Sequence, residues 1–331
     1  MRKSLLIVVK KGLMVTVMRK FVVARMRKSL LVAVMMMAMA VCAQAQRDWS
    51  KAEVKLEKLT ENLYMLTGVG GNIAVSVSED GVLIVDDQYA PMVSKIQDAI
   101  KDVTDKPVRF VLNTHWHGDH TGGNESFAKA KAEIIAHENV RKRMESGSKV
   151  RGSMVPPAAK VALPIITFDR TLTVHINGED IKALHFAKGH TDGDSVIFFT
   201  KANVVHMGDH FFNMNFPFVD VESGGNVRGM IENVEKAMAA VPDDVKVIPG
   251  HGPLATKKDA LEFARRLKDI VALVQAAIKK GKTLEQMKKE KVLAKYEEMG
   301  KFFIKTDEMI EVTYNELTAK KGKGKQSGQH H

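Results

Sequence analysis

The sequence predicts an α/β protein of four layers, αββα, with two sheets packed face to face, helices outside and a C-terminal helical extension. A loose internal repeat is the first observation behind this. Residues 82–85 form a strand-like run ending at Asp86, 91–100 reads as a helix, and the run 108–112 leads into His115. Farther on, 203–208 ends at Asp209, 230–240 reads as a helix, and 245–248 leads into Pro249, Gly250 and His251. Each half reads strand, Asp, helix, strand, His. The second observation is the crowding of strand-like runs into the first third of the chain that follows residue 45. The third is the change to helical periodicity beyond Leu254.

Taken in order, alternation and β-branched content predict strands over 54–59, 63–67, 72–77 and 82–86. Gly68, Val69, Gly70 and Gly71 between the second and third predict a mobile hairpin tip. The helix over 91–100 starts with Pro91 in its first turn and repeats apolar residues at Met92, Val93, Ile96, Ala99 and Ile100. Residues 108–112 predict a buried strand that delivers a histidine-rich loop, and 123–131 a helix leaving that loop. Past residue 254, helices are expected over 257–280, 284–296 and 306–320. Leu261, Ala264, Leu267, Ile270, Val271 and Val274 recur at the spacing of a face packed on the body, with a small cap or an oligomer contact as the other roles for this extension.

The first 45 residues are set apart. Met26, Arg27 and Lys28 open a charged region, 29–41 is apolar and rich in Met and Ala, and Ala43-Gln44-Ala45 has the form of a cleavage site. This reads as a secretory signal peptide cut after Ala45, with an apolar stretch too short for a permanent membrane span. Residues 1–6 repeat 26–31 without a difference, so either Met1 or Met26 serves as the start. Lipidation at Cys42 is disfavoured by the bulk of Val41. The expected organisation is a leader over 1–45, a catalytic domain over 46–255, packed helices over 256–319 and a disordered basic tail over 320–331. Removing the leader takes nine Lys and Arg and no acid from the formal charge of +11, leaving +2. Lys320, Lys321, Lys323 and Lys325 hold four further cations in the tail, so the folded body is near neutral and a nucleic-acid partner is not favoured. The only cysteine leaves with the leader, which excludes disulfides and thiolate ligands from the remainder. About 275 remaining residues bury an ample core without them.

Chemistry concentrates in His115-Trp116-His117-Gly118-Asp119-His120, four potential metal ligands within six residues. His115 and His117 project together from extended chain, while Asp119 and His120 follow a turn and face elsewhere, so one loop can seed two metal positions. Histidines with a carboxylate favour zinc, and iron or manganese accept similar sets.

These residues, with Asp86, Gly189-His190-Thr191, Gly208-Asp209 and Gly250-His251-Gly252, resemble the metallo-β-lactamase-fold hydrolases, in the family's order and over roughly residues 56–254. The resemblance implies that His115, His117 and His190 hold one zinc ion, that Asp119, His120 and His251 hold a second, and that Asp209 bridges them. Asp86 would fix the loop without touching metal. Such a pair lowers the pKa of water from ~15.7 toward ~7, and Asp119 is the implied catalytic residue that orients this nucleophile. Asp209 stands where one β-lactamase subclass carries cysteine, as in thioesterases of the glyoxalase II type, lactonases and RNA-processing nucleases. Export favours a small carbonyl substrate in the periplasm: β-lactam, lactone, ester or thioester. Phosphodiester cleavage is the alternative, and a non-catalytic periplasmic metal-binding protein the non-enzymatic one. Diiron redox relatives carry an acid where His117 stands and need a flavin partner.

Of the other histidines, His206 and His210 flank Asp209, and His206 is expected as a satisfied core residue. His137, His175 and His185 receive the same expectation, and His330 and His331 fall in the tail. Asp192 and Asp194 read as turn formers or as supports for His190. Val69, the stretch 144–164 with Arg151 and Met154, and the cluster Phe211, Phe212, Phe216 and Phe218 are candidates for the cleft walls.

Overall fold

The computed structural model describes residues 48–319, so the leader expected over 1–45 and the tail expected from 320 lie outside the described residues. The chain divides into a unit 1–51, whose described part is a short turn at Trp49–Lys51, and a unit 52–331 that holds every element below.

Apolar runs, buried on both faces in β3, β4 and most of β6, build the first sheet: β1 Lys55–Lys58, β2 Leu63–Thr67, β3 Ile73–Ser78, β4 Gly81–Val85, β5 Val108–Leu112 and β6 Glu133–His137. A separate hairpin, β7 Ser148–Val150 and β8 Ser153–Val155, precedes β9 Ile166–Phe168, which completes the first sheet beside β6. Strands β1 to β4 pair antiparallel, and β4, β5, β6 and β9 run parallel. The second sheet is β10 Thr171–Ile176, β11 Glu179–His185, β12 Ser195–Phe199, β13 Val204–His206, β14 Lys246–Ile248 and β15 Ala255–Thr256 in sequential order, with β13 and β14 its one parallel pair.

Between the sheets lies one apolar cluster. Met65, Ala74, Leu83, Val85 and Leu112 of the first sheet meet Ile181, Ala183, Ile197, Phe199, Val204 and Ile248 of the second. Helices α1 Val93–Lys101, α2 Gly118–Thr121, α3 Asn124–Lys129 and α4 Glu138–Ser146 belong to the first half, and α5 Val227–Ala239 to the second. α1 buries Val93, Ile96 and Ile100, three positions on one helical face. The outer face of the second sheet packs through Val196, Val205 and Val247 on α5 and on α6 Lys257–Lys279, together with residues of α7 Leu284–Lys289 and α8 Thr306–Thr318. This is the four-layer sandwich with C-terminal helices.

The repeat read from the sequence is present as two parallel units, β4-α1-β5 and β13-α5-β14. Parallel strands joined through a helix end at the same edge of their sheets, so the residues that follow β4, β5, β13 and β14 gather there.

Four local expectations need correction. Only Val111 and Leu112 of β5 are buried, because the strand enters from the periphery, where Arg109 reaches out to the Asp80 carbonyl at 2.8 Å. The glycine-rich tip at 68–71 is tied down: Gly71 donates to the Asp119 carbonyl at 3.0 Å and accepts from Gln88 Nε2 at 2.8 Å. Leu261 is 39% exposed, and Ala260 and Phe263 take the inward positions of α6. The helix begins at a Thr256–Asp259 capping box, and its buried stripe runs through Ala260, Phe263, Ala264, Leu267, Ile270 and Val274, leaving Leu261 at the edge. His175 is exposed and pairs with Asp180 at 2.7 Å, since β10 turns alternate residues to solvent. No helix among the described residues is long and apolar enough to cross a membrane.

His137 and His185 stack with ring centroids 3.7 Å apart. His137 Nε2 donates to the Asp169 carbonyl at 2.9 Å and its Nδ1 accepts from Asn139 N, capping α4. Burial, and next the neighbouring His185, push its pKa down to about 4. An unfolded imidazole titrates near 6.5, so the unfolded chain takes up the proton first as pH falls. The stability held by this neutral pair is complete above about pH 6.5 and is lost between there and about pH 4. Thermal unfolding at pH 7, 5.5 and 4.5 should therefore show a smaller decline in Tm for His137→Asn, which keeps a good cap, than for the unmodified chain; equal declines would refute the assignment.

Candidate metal centre

Strand β5 runs into Asn113 and Thr114, and the loop beyond alternates its side chains. His115 and His117 face inward, while Trp116 packs the opposite way against Ala136, Val140, Met144 and Leu163 and donates from Nε1 to Ser223 Oγ at 3.2 Å. α2 then turns Asp119 and His120 toward a second position. His190 lies on the loop between β11 and β12, Asp209 on a 3-10 turn directly after β13, and His251 after β14.

All seven side chains come together. His115, His117, His190 and Asp209 form one group, and Asp119, His120 and His251 another, with the potential ligand atoms of each group within 4.8 Å of one another. Asp209 faces both. Its Oδ2 lies 3.4 Å from His190 Nε2 and 3.8 Å from His115 Nε2, and its Oδ1 lies 3.2 Å from His120 Nε2 and 3.4 Å from His251 Nε2. Asp119 Oδ2 stands 3.3 Å from His251 Nε2 and 3.7 Å from His120 Nε2.

The outward nitrogens settle which tautomers these rings adopt. His117 Nε2 donates to Asp220 Oδ2 at 2.8 Å, His190 Nδ1 to the Phe218 carbonyl at 2.7 Å and His120 Nδ1 to Asp86 Oδ2 at 2.7 Å. Thr114 Oγ1 gives its one proton to Asp86 Oδ2 at 2.8 Å, so His115 Nδ1 is the donor to that hydroxyl at 3.0 Å. His115, His117 and His190 thereby each turn a lone pair inward. His117 Nδ1 then faces His115 Nε2 at 3.1 Å and His190 Nε2 at 2.8 Å, acceptor against acceptor. Burial, the largest influence on both, pushes His115 well down and His190 down to about 4, which keeps both rings neutral. Lone pairs converging at such distances, beside an Asp209 Oδ1 that takes no hydrogen bond, are the donor set of a cation site. The residues fit a divalent metal.

The second group differs in charge. Burial alone would lower His120 and His251, but the Asp209 and Asp119 carboxylates outweigh it, holding His120 well up and His251 at about 9. Asp209 is held well below the usual carboxylate range, since the four histidines around it outweigh the burial that would raise it.

Supports surround the ligand candidates. Asp86, in the left-handed region at φ 65°, also accepts from Thr114 N at 2.7 Å, so one carboxylate fixes the strand end, His115 and His120 together. A Cβ on Gly71 would stand 2.1 Å from the His120 ring, and one on Gly250 2.1 Å from Asp209 Oδ1, so both approaches require glycine. Asn72 donates from Nδ2 to the carbonyls of Pro249 and Gly252, pinning the His251 loop to the start of β3.

His206 is a buried, satisfied histidine, donating to the Asn72 carbonyl and accepting from Gly208 N. His210 is buried at 1% exposure with neither ring nitrogen hydrogen-bonded, so it does not reach the cleft. Asp194 accepts from Thr191 N and Oγ1 and braces the His190 turn, and Asp192 pairs bidentately with Arg143 at 2.7 Å. Asp220 went unread in the sequence: a lone acid in irregular chain carries no motif, and only the fold brings it to His117.

Comparisons with a family model, with curated relatives and with solved structures show the family and the fold. The chain matches the family model described as "Metallo-beta-lactamase superfamily" over residues 66–269. It is similar to a hydroxyacylglutathione hydrolase of Nitrosococcus oceani, 29% identical over 143 residues that cover 43% of this chain and 47% of that one. It is also similar to a metallo-beta-lactamase type 2 of Elizabethkingia meningoseptica, 23% identical over 214 residues, 60% of this chain and 79% of the other. The chain thus spans about half the length of the first relative and more of the second. Among solved structures, a metallo-beta-lactamase from Pontibacter korlensis superposes with a TM-score of 0.55 at 17% identity, covering 65% of this chain and 99% of that one, a likeness of fold.

Two outcomes follow from the site's hydrogen bonds and charges. Asp220→Ala frees the His117 ring and should weaken metal binding about 10- to 100-fold in a chelator competition titration; unchanged affinity would show that Asp220 is idle. A divalent metal competes with the protons held on His251 and His120, so uptake at pH 7 should release protons and apparent affinity should rise with pH toward about 9. Calorimetry in two buffers of different ionisation enthalpy reads this directly, and identical heats would contradict it.

Proposed function

Because the chain belongs to the metallo-beta-lactamase superfamily, we propose that it is an exported hydrolase that uses two zinc ions to cleave a small carbonyl substrate, a β-lactam, lactone, ester or thioester. The observation that carries this reading is the Asp209 carboxylate set between two groups of inward-facing imidazoles. His115, His117 and His190 would hold one ion, Asp119, His120 and His251 the other, and Asp209 would serve both. When bound, the ions supply Lewis acidity, polarising a carbonyl oxygen and bringing the pKa of water toward ~7.

The chain's own residues do the rest. Asp119 is 23% exposed along its side chain, the most open of the carboxylates in the two groups, so it can meet a water entering from the cleft. Burial would raise its carboxyl, but His120 and His251 hold it well below the usual range, so it is an acceptor at neutral pH. It orients the attacking water by accepting a hydrogen bond from it. Asp86 and Asp220 keep His120 and His117 from rotating, which preserves the spacing between the two groups. The division into a leader, a catalytic body and packed helices, and a periplasmic location, belong to the same proposal and rest on the sequence of residues 26–45.

Asp119→Ala should lower turnover by at least 100-fold while leaving the circular dichroism spectrum and Tm close to those of the unmodified protein. The test is a panel of nitrocefin, a lactone, a thioester and bis-nitrophenyl phosphate on zinc-loaded protein, with EDTA-treated protein alongside. Activity confined to the phosphate diester would move the assignment to phosphodiester cleavage. Stoichiometric zinc uptake with no turnover on any member would leave a metal-binding protein.

A further inference from the structure

The C-terminal extension reaches the metal histidines. The segment 294–301 is a 3-10 helix anchored by Tyr296 Oη, which donates to Asp269 at 2.6 Å, by buried Met299, and by the bond from Phe216 N to the Met299 carbonyl at 2.9 Å. It delivers Phe302 and Phe303, each 53% exposed. Phe302 lies 6.4 Å from the His251 ring, whose other neighbour, Phe212, stacks at 5.0 Å. Phe303 lies edge-on to Phe218 at 6.1 Å, and Phe218 packs at 5.6 Å from His117 and 5.7 Å from His190. Aromatic faces thus border both ligand groups, and the two outermost are wet.

Arg151 joins this rim from the other side. It and Gly152 form the two-residue tip of the β7-β8 hairpin with φ of 51° and 77°, the backbone of a type I′ turn and an uncommon one for a long side chain. Its guanidinium sits 4.9 Å from the Phe303 ring and 5.9 Å from Phe218, and donates to Glu308 at 2.9 Å. The hairpin is therefore clasped to the extension through a stacked cation and an ion pair. Met154, on the same hairpin, is 61% exposed, which extends the apolar character of the rim.

We propose that Phe302 and Phe303, together with Phe218 and held by Arg151, form the substrate-binding wall of this site and select carbonyl compounds bearing an extended apolar chain or ring. Resting on the hydrolase reading above, the proposal adds the substrate class: two phenylalanines left half in water beside ligating histidines gain their burial when such a group lies across them. An apolar chain in contact with the wall gains affinity with each methylene that leaves water, about twofold to threefold per group for partial burial.

The experiment uses zinc-loaded full chain and 4-nitrophenyl esters from acetate to octanoate, with calorimetric binding of the matching alkanoates as a readout independent of turnover. The expected result is kcat/KM, or affinity, rising about twofold to threefold per methylene, with the slope reduced at least by half in Phe302→Ala/Phe303→Ala and retained in Leu261→Ala, an exposed apolar site on α6. Arg151→Ala should weaken the slope, and Arg151→Lys restore only part of it. Should no ester turn over, the ester arm of the hydrolase reading fails, the panel above decides the rest of that reading, and the alkanoate series alone decides the wall. A flat series in the unmodified protein, or a slope untouched by the double substitution, overturns the proposal. So does sedimentation showing a dimer that the double substitution dissolves while the slope persists, since the aromatic pair would then be a subunit contact.

Discussion

A buried carboxylate at the seam of two sheets governs this structure. Asp209 is 5% exposed, and removing such a charge from water costs several kcal/mol unless opposite charge or oriented donors replace the solvent. Of the four histidines around it, His115, His120, His190 and His251, the charged rings of His120 and His251 supply that replacement. Much of the surrounding architecture serves to keep those four rings in place: Asp86 at the end of β4 bound to Thr114 beyond β5, Asn72 at the start of β3, and glycines at 71 and 250 where any side chain would displace a ring or the carboxylate. The centre is a set of rigid positions imposed by strand ends.

The sequence displayed the fold through its repeat because a parallel strand-helix-strand unit leaves a local, periodic trace. β4-α1-β5 and β13-α5-β14 appear close to the ranges their apolar spacing indicates, and the loop His115 to His120 carries its ligand alternation in six consecutive residues. Legibility ended where contacts depend on tertiary approach. Asp220 touches His117 across 103 positions, and nothing in its neighbourhood marks it. The glycine tip at 68–71 suggested motion because glycine is permissive, whereas here its small size allows close packing under His120. Leu261 suggested the inward face of α6, but the buried stripe that packs on the second sheet passes through Ala260 and Ala264 beside it.

The C-terminal extension follows the same division. Its helical periodicity announced packing, and α6 does bury Phe263, Leu267, Ile270 and Val274 against the second sheet. The aromatic pair at its 3-10 turn has no periodic signature and gains its meaning only from standing beside His251 and Phe218. The proposed substrate wall comes from segments remote in sequence from the loop His115 to His120.

That remoteness bears on the order in which the molecule matures. His115 and His251 are 136 positions apart, and the strand carrying His251 hydrogen-bonds to β13 only after the whole α5 crossover has closed. Contacts so distant along the chain form late, once the loop entropy between them has been spent. Ion capture with all seven ligand candidates would therefore act as a checkpoint on completed biogenesis: a nascent chain ending short of residue 251 would leave the second group with Asp119 and His120 and surrender that cation to a competing buffer.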